Sequence, residues 1–211
     1  MIKISNWQPP LLVALCFSFI LAFSTLAQAA PASSPAAQFI QNLGNTALMS
    51  LTGKNVSRSA REQRVREILQ NNFDVQTIGR FALGAYWRDA SDQQRKEYMN
   101  LFEDMIVQTY TTRFEDYSGE KLKVDGSTPS GKDIIVNSQV IQPDGPPVNL
   151  EWRVRPTNGA LRVIDVVVEG VSMSVTQRSD FSAVIQHGGG KIEALLASLR
   201  DRKKTAAHQK T

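Results

Sequence analysis

Apolar residues return at two different spacings along this chain, and the change of spacing divides it. From Phe39 to Tyr117 they recur every three or four residues, and from Leu122 onward they alternate with polar ones. The first spacing puts them on one side of a helix, the second on one face of a strand. Ser34-Pro35 reads as an N-cap and first-turn proline opening a helix to about Thr52, with Phe39, Leu43, Ala47 and Leu51 inward and Gly53 as its stop. Ser59-Ala60-Arg61-Glu62 reads as a capping box for a second helix, with Val65, Ile68 and Leu69 inward. Asp74 caps a short third helix carrying Val75, Ile78, Phe81 and Ala82, which Gly84 breaks. Ser91 to Gln94 is another capping box and opens the longest helix, to about Tyr117. Its stripe is Tyr98, Leu101, Phe102, Met105, Ile106, Thr109, Tyr110, Phe114 and Tyr117. Met, Tyr and Phe dominate it, a mixture suited to an adaptable cavity wall as well as to plain core.

In the second half, Leu122 and Val124 predict a short edge strand and Asp133–Gln142 a second. Val148 to Arg155 alternates throughout, so Val148, Leu150, Trp152 and Val154 should face the helices and Asn149, Glu151, Arg153 and Arg155 water. The strand from Leu161 is apolar on both sides: Leu161, Val163 and Val167 on one, Ile164, Val166 and Val168 on the other. Such a strand should be covered on both faces. Asp165 lies in its middle and requires a donor or an opening to water. A glycine turn, a polar segment, a short helix, Gly188-Gly189-Gly190 and a final amphipathic helix follow. Helices, then strands, then closing helices predict an α+β fold: a curved antiparallel sheet of about four strands, wrapped by helices, with an apolar interior.

The amino-terminal segment changes the compartment. Lys3 precedes an apolar run from Leu11 to Phe23, and Ala27-Gln28-Ala29 matches a signal-peptidase site. The run is shorter than the ~20 residues that span a bilayer. Residues 1–29 are therefore read as a cleaved signal peptide, 30–203 as one domain and 204–211 as a flexible polar tail, which places the protein in the periplasm. Cleavage would remove Cys16, the only cysteine, and with it any disulfide, thiolate metal site or cysteine nucleophile. It would also remove Lys3, leaving 23 Lys and Arg against 20 Asp and Glu. That modest charge argues against nucleic acid as a partner.

Catalytic chemistry is sparse. His187 sits at a helix end and His208 in the tail, without companions for a metal site. Gly188-Gly189-Gly190-Lys191 does not fit a phosphate-cradling loop and reads as a helix stop and hinge. Glu103-Asp104 and Glu115-Asp116 fall on the polar side of the long helix and are read as solvated. Asp165 with Glu169 is the one acidic pair that could work in a pocket, and no nucleophile motif accompanies it. The residues alone support a secreted, non-enzymatic α+β domain without cofactor.

Two stretches carry a family resemblance. One is the valine-rich strand with Asp165, Glu169-Gly170-Val171-Ser172-Met173, Phe181, the glycines and the Ile192/Leu195/Leu196 helix. The other is Phe81-Ala82-Leu83-Gly84-Ala85-Tyr86-Trp87-Arg88 with Ser91 to Gln94 and Tyr98. Together they resemble the MlaC family of periplasmic phospholipid-binding, or toluene-tolerance, proteins from about Phe39 to Arg200. The resemblance implies an apolar pocket between sheet and helices, in a monomeric shuttle that moves glycerophospholipids between outer and inner membranes and maintains outer-membrane lipid asymmetry. Its implied partners are an inner-membrane ABC transporter complex and an outer-membrane lipoprotein–porin complex, and its cargo is the bound phospholipid. Carried onto this sequence, Phe102, Met105, Ile106 and Tyr110 would form a helical wall, Leu150, Trp152, Val163 and Val167 a sheet wall, and Val171 with Met173 the lip. A hopanoid or other polycyclic lipid remains as cargo, and an enzyme using Asp165 as base or a scaffold without cargo as other classes.

Overall fold

Side chains that cap backbone N–H groups decide where most of the helices begin. The computed structural model describes residues 34–53 and 56–208, so the expected signal peptide lies outside the described residues. Helix α1 (Pro35–Leu51) starts where the Ser34 hydroxyl accepts from the Ala37 N–H, and α3 (Val75–Leu83) where the Asp74 carboxylate accepts from Thr77. Helix α5 (Asp92–Glu115) has the full reciprocal capping box between Ser91 and Gln94. Helix α2 (Arg58–Asn72) starts two residues before the expected box: Ser57 is the cap, accepting from Ala60. Glu62, expected to close that box, lies 3.6 Å from Arg58 in an i, i+4 pair instead. A one-turn helix α4 (Tyr86–Asp89) links α3 to α5.

The sheet has five antiparallel strands in sequence order, one more than expected: β1 (Lys121–Ser130), β2 (Asp133–Ile141), β3 (Val148–Thr157), β4 (Ala160–Val168) and the two-residue β5 (Val171–Ser172). β1 is ten residues long, not a short edge strand. The polar segment after β5 is helical from its start, because Ser172 caps α6 (Met173–His187) by accepting from Val175. Helix α7 (Ile192–His208) extends into the segment expected as a tail, as far as the last described residue.

One residue reorganises the organising strand. Arg153 pairs with Asp165 but Val154 pairs with Val163, leaving Ile164 unpaired as a bulge. Alternation restarts after it, so Leu161 and Val163 share a face with Val166 and Val168. Val167 falls on the opposite face, beside Glu151 and Asp165, which corrects the expected assignment of both faces. The linker between α2 and α3 is stitched to this strand, with the Asp74 N–H donating to the Val163 carbonyl at 2.9 Å.

Three acids of the two pairs, Glu103, Asp104 and Glu115, are engaged rather than solvated. Arg66 of α2 reaches Glu103 at 2.7 Å and Asp104 at 2.6 Å, and Lys203 of α7 reaches Asp104 at 2.7 Å. Glu115 pairs with Arg58 and Arg61 of α2. Helix α5 is thus bound to α2 and α7 by charge along its polar flank. Among the described residues no helix is long and apolar enough to cross a membrane.

Candidate functional site

The apolar face of the sheet is sealed at one end and open at the other. Val136, Val154 and Val163 are wholly buried under Ala36, Ala37, Ile40 and Leu43 of α1. The next cross-strand row, Val166 and Trp152, is only partly buried, and so are Val168 and Leu150 in the row beyond. Val171, opposite Val168, is 53% exposed. The Trp152 indole N–H donates to the Ser138 hydroxyl at 2.9 Å, which fixes the ring on this face and satisfies a buried serine.

The core is correspondingly divided. A domain of this size usually has one contiguous apolar core, whereas here three clusters form among the described residues. One lies among α3 to α7, one between α1 and the sheet, and one between α1, α2 and α5. Four side chains touch two clusters each: Ile68 and Phe73 join the second to the third, and Val75 and Ile106 join the first to the third. All four are only partly buried. Apolar groups where the clusters join two by two thus keep accessible surface.

Tyr110, one turn beyond Ile106 on α5, is 45% exposed, and burial pushes its phenol up against a smaller opposite pull from Arg113.

Relatives agree with this geometry. The family model described as MlaC protein matches residues 41–201. The chain belongs to the MlaC family. A curated relative, the intermembrane phospholipid transport system binding protein MlaC of Haemophilus influenzae, is 26% identical over 145 residues, 64% of this chain and 67% of its own. The fold is also that of a phospholipid-binding protein from Ralstonia solanacearum solved in complex with a phospholipid. The two superpose with a TM-score of 0.71 at 21% identity, over 82% of this chain and 99% of that one.

Of the ten residues carried over from the family resemblance, five lie along the open part of this structure. Leu150, Trp152 and Val171 are on the inward face of the sheet, and Ile106 and Tyr110 follow one another on α5. Met173, 37% exposed, begins α6 at the rim. The other four are elsewhere. Phe102 is buried in the helical core, stacked on Tyr98 and edge-on to Phe181. Val163 is sealed beneath α1. Met105 turns toward α7, its sulfur 3.7 Å from Arg202. Val167 is on the outer face, displaced there by the bulge. Phe73, Val75, Val166 and Val168 are further partly buried apolar groups of the candidate site that were not named from the sequence. The bulge hid the two strand valines, and Phe73 stands in a linker where no periodicity marks it.

Asp165 has a structural task. Its carboxylate accepts from the Val166 N–H at 2.9 Å, the Ser172 hydroxyl at 2.6 Å and the Ser174 N–H at 3.1 Å, which fastens the start of α6 to β4. Glu169 turns away, and its Oε2 lies 3.4 Å from the Asn149 side-chain amide. The two acids do not form a working pair. Among the described residues no group of three His, Cys, Asp or Glu could hold a metal.

Proposed function

We propose that this protein is a periplasmic carrier of glycerophospholipid that shields acyl chains between its sheet and helices. The observation that carries this reading is the divided core, whose junction side chains Ile68, Phe73, Val75 and Ile106 remain partly accessible. Each methylene buried there stabilises the complex by ~0.8 kcal/mol, so two acyl chains hold a lipid firmly in a carrier that does no chemistry on it. Family membership supports this reading, as does the neighbour solved with a phospholipid. The apolar run and Ala27-Gln28-Ala29 support export. In this reading the carrier is a monomer that exchanges lipid with an inner-membrane ABC transporter complex and an outer-membrane lipoprotein–porin complex, maintaining lipid asymmetry. Such cargo leaves at a useful rate only where a partner or a moving helix opens the site. Native mass spectrometry of the protein taken from its periplasm, with lipid extraction, tests the reading. One phospholipid per chain is expected, whereas an empty protein that also refuses added phospholipid overturns it.

A further inference from the structure

The groove between α3 and α6, about 430 Å³, is lined by Phe81, Val175, Arg178, Ser179, Ser182, Ala183 and Gln186. Its lining is mixed in chemistry. Phe81 and Val175 are exposed apolar groups, 40% and 51%, while Arg178, Ser179, Ser182 and Gln186 offer polar groups. Val171 adjoins Val168 on the inward face, and α6 begins two residues later, its exposed Val175 standing in the lining of the groove.

Among the described residues Arg178 is held without an acid. Arg58, Arg66, Arg155 and Arg200 each pair with a carboxylate, whereas Arg178 lies over the Phe81 ring, 5.3 Å from its centroid. Its guanidinium also crosses Gly84, where a Cβ would stand 2.9 Å from Nε. Gly84 has φ +61°, so the same residue that ends α3 leaves the space in which Arg178 lies. A guanidinium whose place is set by a ring and a glycine keeps its N–H fork free for a planar or tetrahedral oxyanion.

We propose that this groove is the head-group subsite of the bound lipid, with Arg178 as the donor to its phosphodiester. The proposal rests on the carrier reading above. It assigns the exposed Val171 at the open end of the sheet and Val175 in the groove to the lipid where its chains leave the interior, and Ser179, Ser182 and Gln186 to the glycerol and head-group oxygens.

The test compares the mature protein with Arg178→Gln and Arg178→Lys, using phosphatidylglycerol, diacylglycerol of the same chains, and glycerol 3-phosphate as probes. The expected result is phosphatidylglycerol bound more tightly than diacylglycerol by the native protein. Arg178→Gln should weaken phosphatidylglycerol about tenfold, the factor of one charge-assisted hydrogen bond at an exposed site. Diacylglycerol binding should be unchanged in that variant, which also shows that it is folded, and Arg178→Lys should recover part of the loss. Equal loss for both lipids, or none for either, overturns the head-group assignment and leaves carriage standing. Glycerol 3-phosphate binding as tightly as the whole lipid also overturns it, in favour of a site for a soluble phosphate ester. A native protein that binds neither lipid overturns carriage itself.

Discussion

Phe102 and Leu150 look alike in a hydropathy profile and differ in what they touch. Phe102 is 2% exposed, with Tyr98 and Phe181 against its ring, so Phe102→Ala should cost about 3–5 kcal/mol of stability. Leu150 is partly buried on the open end of the sheet. Leu150→Glu should change stability by under about 1 kcal/mol while sharply lowering lipid occupancy. Denaturant unfolding together with native mass spectra separates the two effects, and the opposite pattern would reverse their roles. Asp104 offers a pH test. Burial raises its pKa, and hydrogen bonds from Lys203 and Arg66 outweigh that, leaving it below the usual carboxylate value. A depressed folded pKa stabilises above the unfolded value, ~3.9, and that contribution is lost as pH falls through the folded one. Thermal melts of the native protein and Asp104→Asn should therefore differ near neutrality and converge as pH falls below the ordinary carboxylate range. Parallel curves would show that the α2–α5–α7 charge contact contributes nothing.

At the scale of elements, what was legible followed the backbone's own needs. The α1 start at Ser34-Pro35, the Asp74 cap, the Ser91–Gln94 box and the Gly84 stop appear where local hydrogen bonding demands them. The alternation of β3 told which residues face outward, and its exposed Asn149, Glu151 and Arg153 agree. Two things were not legible. Nothing in Asp133–Ile141 or Val148–Thr157 announced that β4 would slip by one residue at Ile164, since a bulge depends on the pairing of two strands. The length of α6 was obscured because its first turns are polar, and its start is fixed by Asp165 from another element. Gly188 shows the same dependence. Its φ of −90° is open to any residue, but an added Cβ would collide with the Ala194 Cβ of α7. Gly188→Ala should lower the melting temperature and Ala194→Gly should partly restore it in the double variant, a coupling of about 0.5–3 kcal/mol in a double-mutant cycle. Additive effects would show that α6 and α7 separate there at no cost.

The whole molecule joins an ion-paired helical layer to a sheet sealed at one end. The family resemblance pointed to a pocket between the layers, but spacing alone does not reveal which apolar residues meet, so Phe102 and Val163 appeared as walls although each is core. A protein whose native state keeps accessible apolar surface inside should gain stability from whatever fills it. Stripping lipid from the purified protein should lower its melting temperature, and adding phospholipid back to about a hundred times its dissociation constant should restore ~2.7 kcal/mol. Equal melting temperatures for stripped and loaded protein would mean that the interior is already filled.

The unpaired Ile164 has one more consequence. It acts as a phase shifter between two halves of a strand that would otherwise be out of step. Upstream, Leu161 and Val163 complete the lid that α1 closes; downstream, Val166 and Val168 extend the surface that stays open. Were Ile164 paired in regular alternation instead of bulged, the second half would be turned over. Asp165 and Val167 would point into the apolar interior, and the carboxylate that fastens α6 would be lost from the outside. Inside and outside at this end of the molecule are thus decided by counting, one residue at a time, more than by the hydropathy of any side chain.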